Sequence, residues 1–162
     1  MDQNEKPMFH SAVVFVDNIE ISKKFYIDIL GQEIEMDFGR CVGFVRGFTI
    51  WDYAYALRMM ELDDNKEDSI GKRNVELYFE ISDLDLFYNK LKKEHIEFVH
   101  SMKEQPWGQR CIRIYDPDRH ILEIGEPMSI VIQRFSEKGL SVDEIVKKTM
   151  MPLDIVNNVL SN

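Results

Sequence analysis

The segment RIYDPDRHILEIGEP (113–127) sets one carboxylate, Glu123, between Leu122 and Ile124 in what reads as a strand after a tight turn. An unpaired carboxylate among apolar neighbours is costly. Glu123 therefore needs a metal, a cationic partner or a raised pKa. Arg110, placed by residue parity with Ile112 on the Glu123 face, is a candidate for that cation. A second constellation lies in ELYFEIS. There Val75, Leu77, Phe79 and Ile81 alternate on one side of a strand, while Glu76, Tyr78 and Glu80 take the other. That second face is either solvent-exposed or one wall of a polar cup.

The elements that must position these residues occur twice. HSAVVFVDNIEISKKFYIDILGQEIEM (10–36) and ELYFEISDLDLFYNKLKKEHIEFV (76–99) share the order strand, Asp, amphipathic helix, strand. In the first copy Ser11 to Val16 reads as a strand and Asp17 or Asn18 as a helix cap; the helix from about Ile19 to Leu30 ends at Gly31. In the second, Val75 to Ile81 is the strand, Ser82 or Asp83 the cap and Leu84 to Glu94 the helix, with His95 where Gly is cheapest. EIEMDF, CVGFV and GFTIW follow the first helix; IEFVH, QRCIRIY and HILEIG follow the second. Each copy reads βαβββ, at about 8–60 and 74–127, and a short helix in DYAYALRMM precedes the polar run that separates them. The fold class is α+β.

Composition excludes several functions. A net charge of −9 disfavours nucleic acid and anionic membranes, though ELDDNKED (61–68) accounts for part of it as a solvated linker. MDQNEKP shows no secretory signal, and no window approaches the ~18 apolar residues of a membrane span, so a cytoplasmic location is expected. Cys41 and Cys111 match no metal-knuckle spacing and are expected to be reduced thiols. Residues 128–162 read as helices. Gly139 ends the first, Ser141 with Glu144 fits a capping box, and Pro152 suits the first turn of the last. SVDEIVKKTMMPLDIVNNVLSN looks like a helix-turn-helix, yet PLDIVNNVLSN has no Lys or Arg to meet phosphates. Docking on the cup or on a second subunit is the expected role.

HSAVVFVDNIEISKKFYIDILG together with QPWGQRCIRIYDPDRHILEIGEP (105–127) resembles the vicinal oxygen chelate superfamily, also called the glyoxalase, bleomycin-resistance and dioxygenase superfamily. The resemblance covers about residues 8 to 127 and implies paired modules curling into a mixed-sheet cup within a domain of residues 1–127, extended by a helical appendage. It also implies metal ligands at His10, Glu76 and Glu123 for a divalent ion such as Zn, Ni, Mn or Fe, and a lyase- or isomerase-type reaction on a small oxygenated metabolite. Glu80 or Glu123 would move the proton. The fourth ligand place falls near Trp51, which cannot bind a metal; Asp52 is the reserve. That departure points toward dioxygenase or thiol-transferase relatives, and Arg119 stands where the family's DPDG turn has Gly. Trp51, Tyr78, Trp107 and Arg110 are candidate substrate contacts, and His95, His100 and His120 match no ligand place. The family pattern makes a homodimer the expected assembly. From other classes stand a metal-free small-molecule binder with an acidic cup of Glu76, Glu80, Glu123 and Trp107, and a ligand sensor with a regulatory tail.

Overall fold

The computed structural model describes residues 9–62 and 75–161, so most of the acidic run expected to be a linker lies outside the described residues. By their contacts these residues form two units, one of 9–62 with 116–119 and one of 75–115 with 120–161.

The first unit runs β1 (Ala12–Val16), α1 (Ile19–Lys24), a π-helical stretch (Phe25–Ile29), β2 (Ile34–Asp37), β3 (Cys41–Phe44), β4 (Phe48–Asp52) and α2 (Tyr53–Met59). Its sheet has the order β1-β4-β3-β2, with β1 parallel to β4 and the rest antiparallel. Asn18 caps α1 by accepting from the amides of Glu20 and Ile21. The helix expected to run to Leu30 loosens into π geometry, and the chain turns at Gly31 with φ +65°. Tyr26 on that stretch is buried among Phe25, Phe44 and Phe48, the last two stacked at 4.7 Å. Its hydroxyl donates to Asp116 Oδ2 at 2.9 Å, while Asp118 accepts from Ser22 Oγ and the Asp17 amide, both at 2.9 Å. Those bonds explain why the DPDR turn groups with the first unit. Arg119 adopts φ +67°, the left-handed conformation a glycine would take without strain.

The second unit repeats the order with β5 (Glu76–Glu80), α3 (Leu84–Leu91), β6 (Phe98–Glu104), β7 (Arg110–Tyr115) and β8 (Ile121–Gly125). Its sheet, β5-β8-β7-β6, has the same topology as the first. Asp83 caps α3 through the Leu86 amide. His95 indeed takes φ +53°.

Three helices complete the unit: α4 (Met128–Glu137), α5 (Val142–Thr149) and α6 (Leu153–Ser161). Val131, Ile132, Phe135, Ile145 and Val156 form their shared core, so most of the apolar surface of these short helices is covered by one another. The capping box at Ser141 is formed: its Oγ accepts from the Glu144 amide at 3.4 Å, and its own amide donates to Glu144 Oε2 at 2.8 Å. No described helix is long and apolar enough to cross a membrane.

The cap carries a pH signature. Hydrogen bonds from the Ser141 amide, then from its hydroxyl, hold the Glu144 carboxyl below its ordinary 4.5. A depressed folded-state pKa gives stability that is present above the unfolded value and lost as pH falls through the folded one. Ser141→Ala keeps the amide but removes the hydroxyl from both the cap and the carboxylate, so it should lower the urea midpoint at pH 7, with the gap to wild type narrowing below pH 4.5. Urea denaturation at the two pH values reads it, and a gap independent of pH would contradict it.

Candidate functional site

The loop 116–120 sets the geometry of the second sheet. It pairs Tyr115 with Ile121 and hence Arg113 with Glu123 and Cys111 with Gly125. Across the next strands Glu123 stands beside Tyr78, and Arg113 beside His100. Tyr78, Glu123, Arg113 and His100 thus form one row across all four strands, their side chains on the same face. Glu76 and Glu80 flank the row on β5, and Cys111 flanks it on β7.

This register corrects the expected partner of Glu123. Ile112 pairs with Ile124 on the opposite face, and Arg110 shares that parity. Arg110 instead donates through Nε to Glu126 at 3.0 Å and through Nη1 to Asp85 at 3.0 Å. The cation beside Glu123 is Arg113. Its Nη2 donates to Glu123 Oε2, its Nε to Glu76 Oε2 at 2.7 Å, and its Nη1 faces His100 Nε2 at 3.2 Å and Cys111 Sγ at 3.8 Å. Glu123 is buried and Glu76 exposed, so the guanidinium compensates one carboxylate that lacks water and holds a second that does not.

A second constellation borders the row. Tyr78 OH donates to Glu80 Oε1 at 2.8 Å and accepts from Gln109 Nε2 at 2.7 Å. Gln109 also donates to the Glu126 carbonyl at 2.8 Å, and its Oε1 accepts from Trp107 Nε1 at 3.0 Å. Gly125 makes room for this: a Cβ there would lie 2.9 Å from Gln109 Nε2 and 3.2 Å from Tyr78 Cε2. Partial burial, then the bond to Glu80, pushes the Tyr78 hydroxyl up to about 12. It remains a protonated donor at neutral pH, and its ring is half exposed.

Behind the site, the fully buried Glu126 joins β7 to α4. It accepts from the Arg110 amide and Nε and from Arg134 Nη2. Arg134 also donates to the Gly108 carbonyl at 2.8 Å. Gly108, at φ +89°, has the Phe135 ring where a Cβ would project, so the QPWGQ loop lies directly on α4.

In the first unit, His10 is exposed in the segment ahead of β1. Trp51 is half-buried on β4 beside Phe15 and Tyr55, at 6.4 Å from each. Asp52, the reserve ligand, caps α2 through the Tyr55 amide at 2.8 Å and lies 3.6 Å from Arg40 Nη1. Among the described residues no three His, Cys, Asp or Glu side chains gather as a metal-holding group. Both cysteines are free thiols.

Arg113, Gln109, Glu126 and Arg134 escaped the sequence reading, and His100 was set aside by it. Counting outward from the DPDR turn would have found the Arg113–Glu123 pair; Glu126 carries no pattern of its own.

The sequence model of the Glyoxalase-like domain family matches residues 9–129. Among solved structures, a protein of unknown function from Agrobacterium tumefaciens str. C58 is 37% identical, with TM-score 0.68 over 76% of this chain and 96% of that one. A glyoxalase/bleomycin resistance protein/dioxygenase from Nocardioides is 23% identical, with TM-score 0.62 over 75% and 84%. A lactoylglutathione lyase from Agrobacterium tumefaciens is 19% identical, with TM-score 0.59 over 76% and 96%. No curated protein matches the chain.

Removing the Glu126 charge leaves a buried amide between two guanidiniums whose other carboxylate partners, Asp85 at 3.0 Å from Arg110 and Glu104 at 3.2 Å from Arg134, are exposed. Glu126→Gln should cost about 3 kcal/mol of unfolding free energy by urea denaturation, and a cost under about 1 kcal/mol would mean that the network is stabilised elsewhere.

Proposed function

The chain belongs to the glyoxalase-like domain family, and on that premise we propose that it binds a small organic cation or polar aromatic compound on the β5-β8-β7-β6 face, without requiring a metal ion. The observation that carries this reading is that one guanidinium, Arg113, holds both Glu76 and Glu123. What remains open to a ligand is the exposed Tyr78 ring, with Glu76 and Glu80 on either side of it along β5. Glu76, Glu80 and Glu123 against Arg113 and the edge-strand Lys103, which pairs with Cys111, leave the face with a net negative charge. A cation over the ring gains from both the π-face and the flanking charge. Trp107, half-buried and tied to Gln109, is the second aromatic of this site.

The family resemblance also implies a divalent metal, which when bound would polarise a ligand oxygen. Glu76 and Glu123 do not fit such an ion while Arg113 occupies both, and Glu80, the expected base, accepts from Tyr78. A metal-dependent lyase or isomerase reaction would need these carboxylates released, so the binding reading is the better supported. Tyr78, protonated at neutral pH, orients Glu80 and does not act as a base. Two free thiols suit the cytoplasm, the location this reading carries.

Titrating the purified protein with N-methylquinolinium and with neutral quinoline, followed by tryptophan fluorescence, tests the reading. The cation should bind about tenfold more tightly, unaffected by EDTA, and Tyr78→Ala and Glu80→Gln should each weaken it about tenfold. Equal binding of the neutral compound, or one equivalent of bound transition metal that Glu123→Ala removes, would overturn it.

A further inference from the structure

We propose that helix α4 sets the affinity of the ligand site from behind, with Arg134 as a positioning residue that holds the loop 105–109, and so Trp107, beside Tyr78. The inference rests on the binding reading above and deepens it, because it gives a role in ligand affinity to side chains that touch no ligand.

The loop joining β6 to β7 is closed on itself. The Gln105 amide donates to the Gln109 carbonyl and the Gly108 amide to the Gln105 carbonyl, each at 2.8 Å. Whatever fixes Gly108 therefore fixes Trp107 next to it. One set of bonds runs through the Gln109 side chain, whose orientation its partners dictate. Trp107 Nε1 can only donate and the Glu126 carbonyl can only accept, so Oε1 meets the first at 3.0 Å and Nε2 the second at 2.8 Å. The other Nε2 hydrogen goes to Tyr78 OH at 2.7 Å. The two aromatics of the site are thus joined through one amide.

The second set comes from α4. Arg134 Nη2 donates to the Gly108 carbonyl at 2.8 Å and to the Glu126 carboxylate, and Nη1 donates to Glu104 Oε2 at 3.2 Å. One planar guanidinium so ties together the end of β6, the loop and the chain entering α4. Beside it the Phe135 ring stands where a Cβ on Gly108 would project. Phe135 is itself fixed among Val131, Ile132, Ile145 and Val156, so all three helices of the appendage decide where the ring lies. Arg134 and Phe135 are beyond the residues 9–129 that match the family model, and the brace is therefore supplied by the appendage.

Trp51→Phe leaves Trp107 as the chain's sole tryptophan, and in that background its acrylamide quenching and its response to N-methylquinolinium are read separately. Arg134→Lys keeps a charge opposite Glu126 but cannot span Gly108, Glu126 and Glu104 together. It should raise the quenching of Trp107 and weaken N-methylquinolinium binding about fivefold. Phe135→Leu, which leaves every charge in place, should act in the same direction and takes its place if Arg134→Lys does not fold. Val156→Ala, inside the core of the appendage, is the comparison: it should lower the melting temperature at least as far while leaving quenching and affinity unchanged. Quenching or affinity unchanged in a folded Arg134→Lys, or the same losses in Val156→Ala, overturns the inference while leaving the binding reading intact. Failure of wild type to bind N-methylquinolinium overturns the binding reading itself.

Discussion

A carboxylate removed from water into the face of a β-sheet must be met by positive charge, and for Glu123 that charge is the Arg113 guanidinium directly across the β7–β8 ladder. Most of what the second sheet can do follows from this pair. Because the guanidinium is planar and carries donors on several edges, it reaches Glu76, His100 and Cys111 at the same time. One side chain thereby fixes the orientation of the outer carboxylate and the net charge presented to a ligand. A lysine at 113 would keep the charge and lose the geometry.

Around that centre the unit is built so that the ligand face and the helical appendage share supports. Gln109 bridges Tyr78 on the polar face and the Glu126 carbonyl at the end of β8. The Glu126 carboxylate, in turn, is held by an arginine from β7 and one from α4. The loop bearing Trp107 is pressed against Phe135 by a glycine that has no room for a Cβ. Residues 128–161 therefore brace the loop beside the candidate site through direct contacts, while α5 and α6 cover the remaining apolar side of α4. Removing the appendage would expose Glu126 and loosen the loop together.

Much of the fold was legible in the chain because repetition and caps are local signals. The doubled βαβββ order, the Asn18 and Asp83 caps, the Ser141–Glu144 box and the strained His95 all depend on residues within a few positions of one another. The site was less legible because cross-strand partners depend on register. Parity along one strand put Arg110 beside Glu123, whereas the length of the loop 116–120 puts Arg113 there and turns Arg110 to the other face. The π-helical stretch at 25–29 was also missed, since nothing in FYIDI distinguishes it from an ordinary last turn. The buried Glu126 was unreadable because its two partners come from separate elements.

The central claim is that the Glu123 charge is balanced by Arg113 itself. A double-mutant cycle with Arg113→Met, Glu123→Gln and the pair, read by urea unfolding in metal-free buffer, measures this directly. The account predicts a coupling energy of about 2 kcal/mol, with the double variant more stable than the sum of the single losses implies. Additive losses, with coupling below about 0.3 kcal/mol, would show that Glu123 is balanced by something else and would contradict the account.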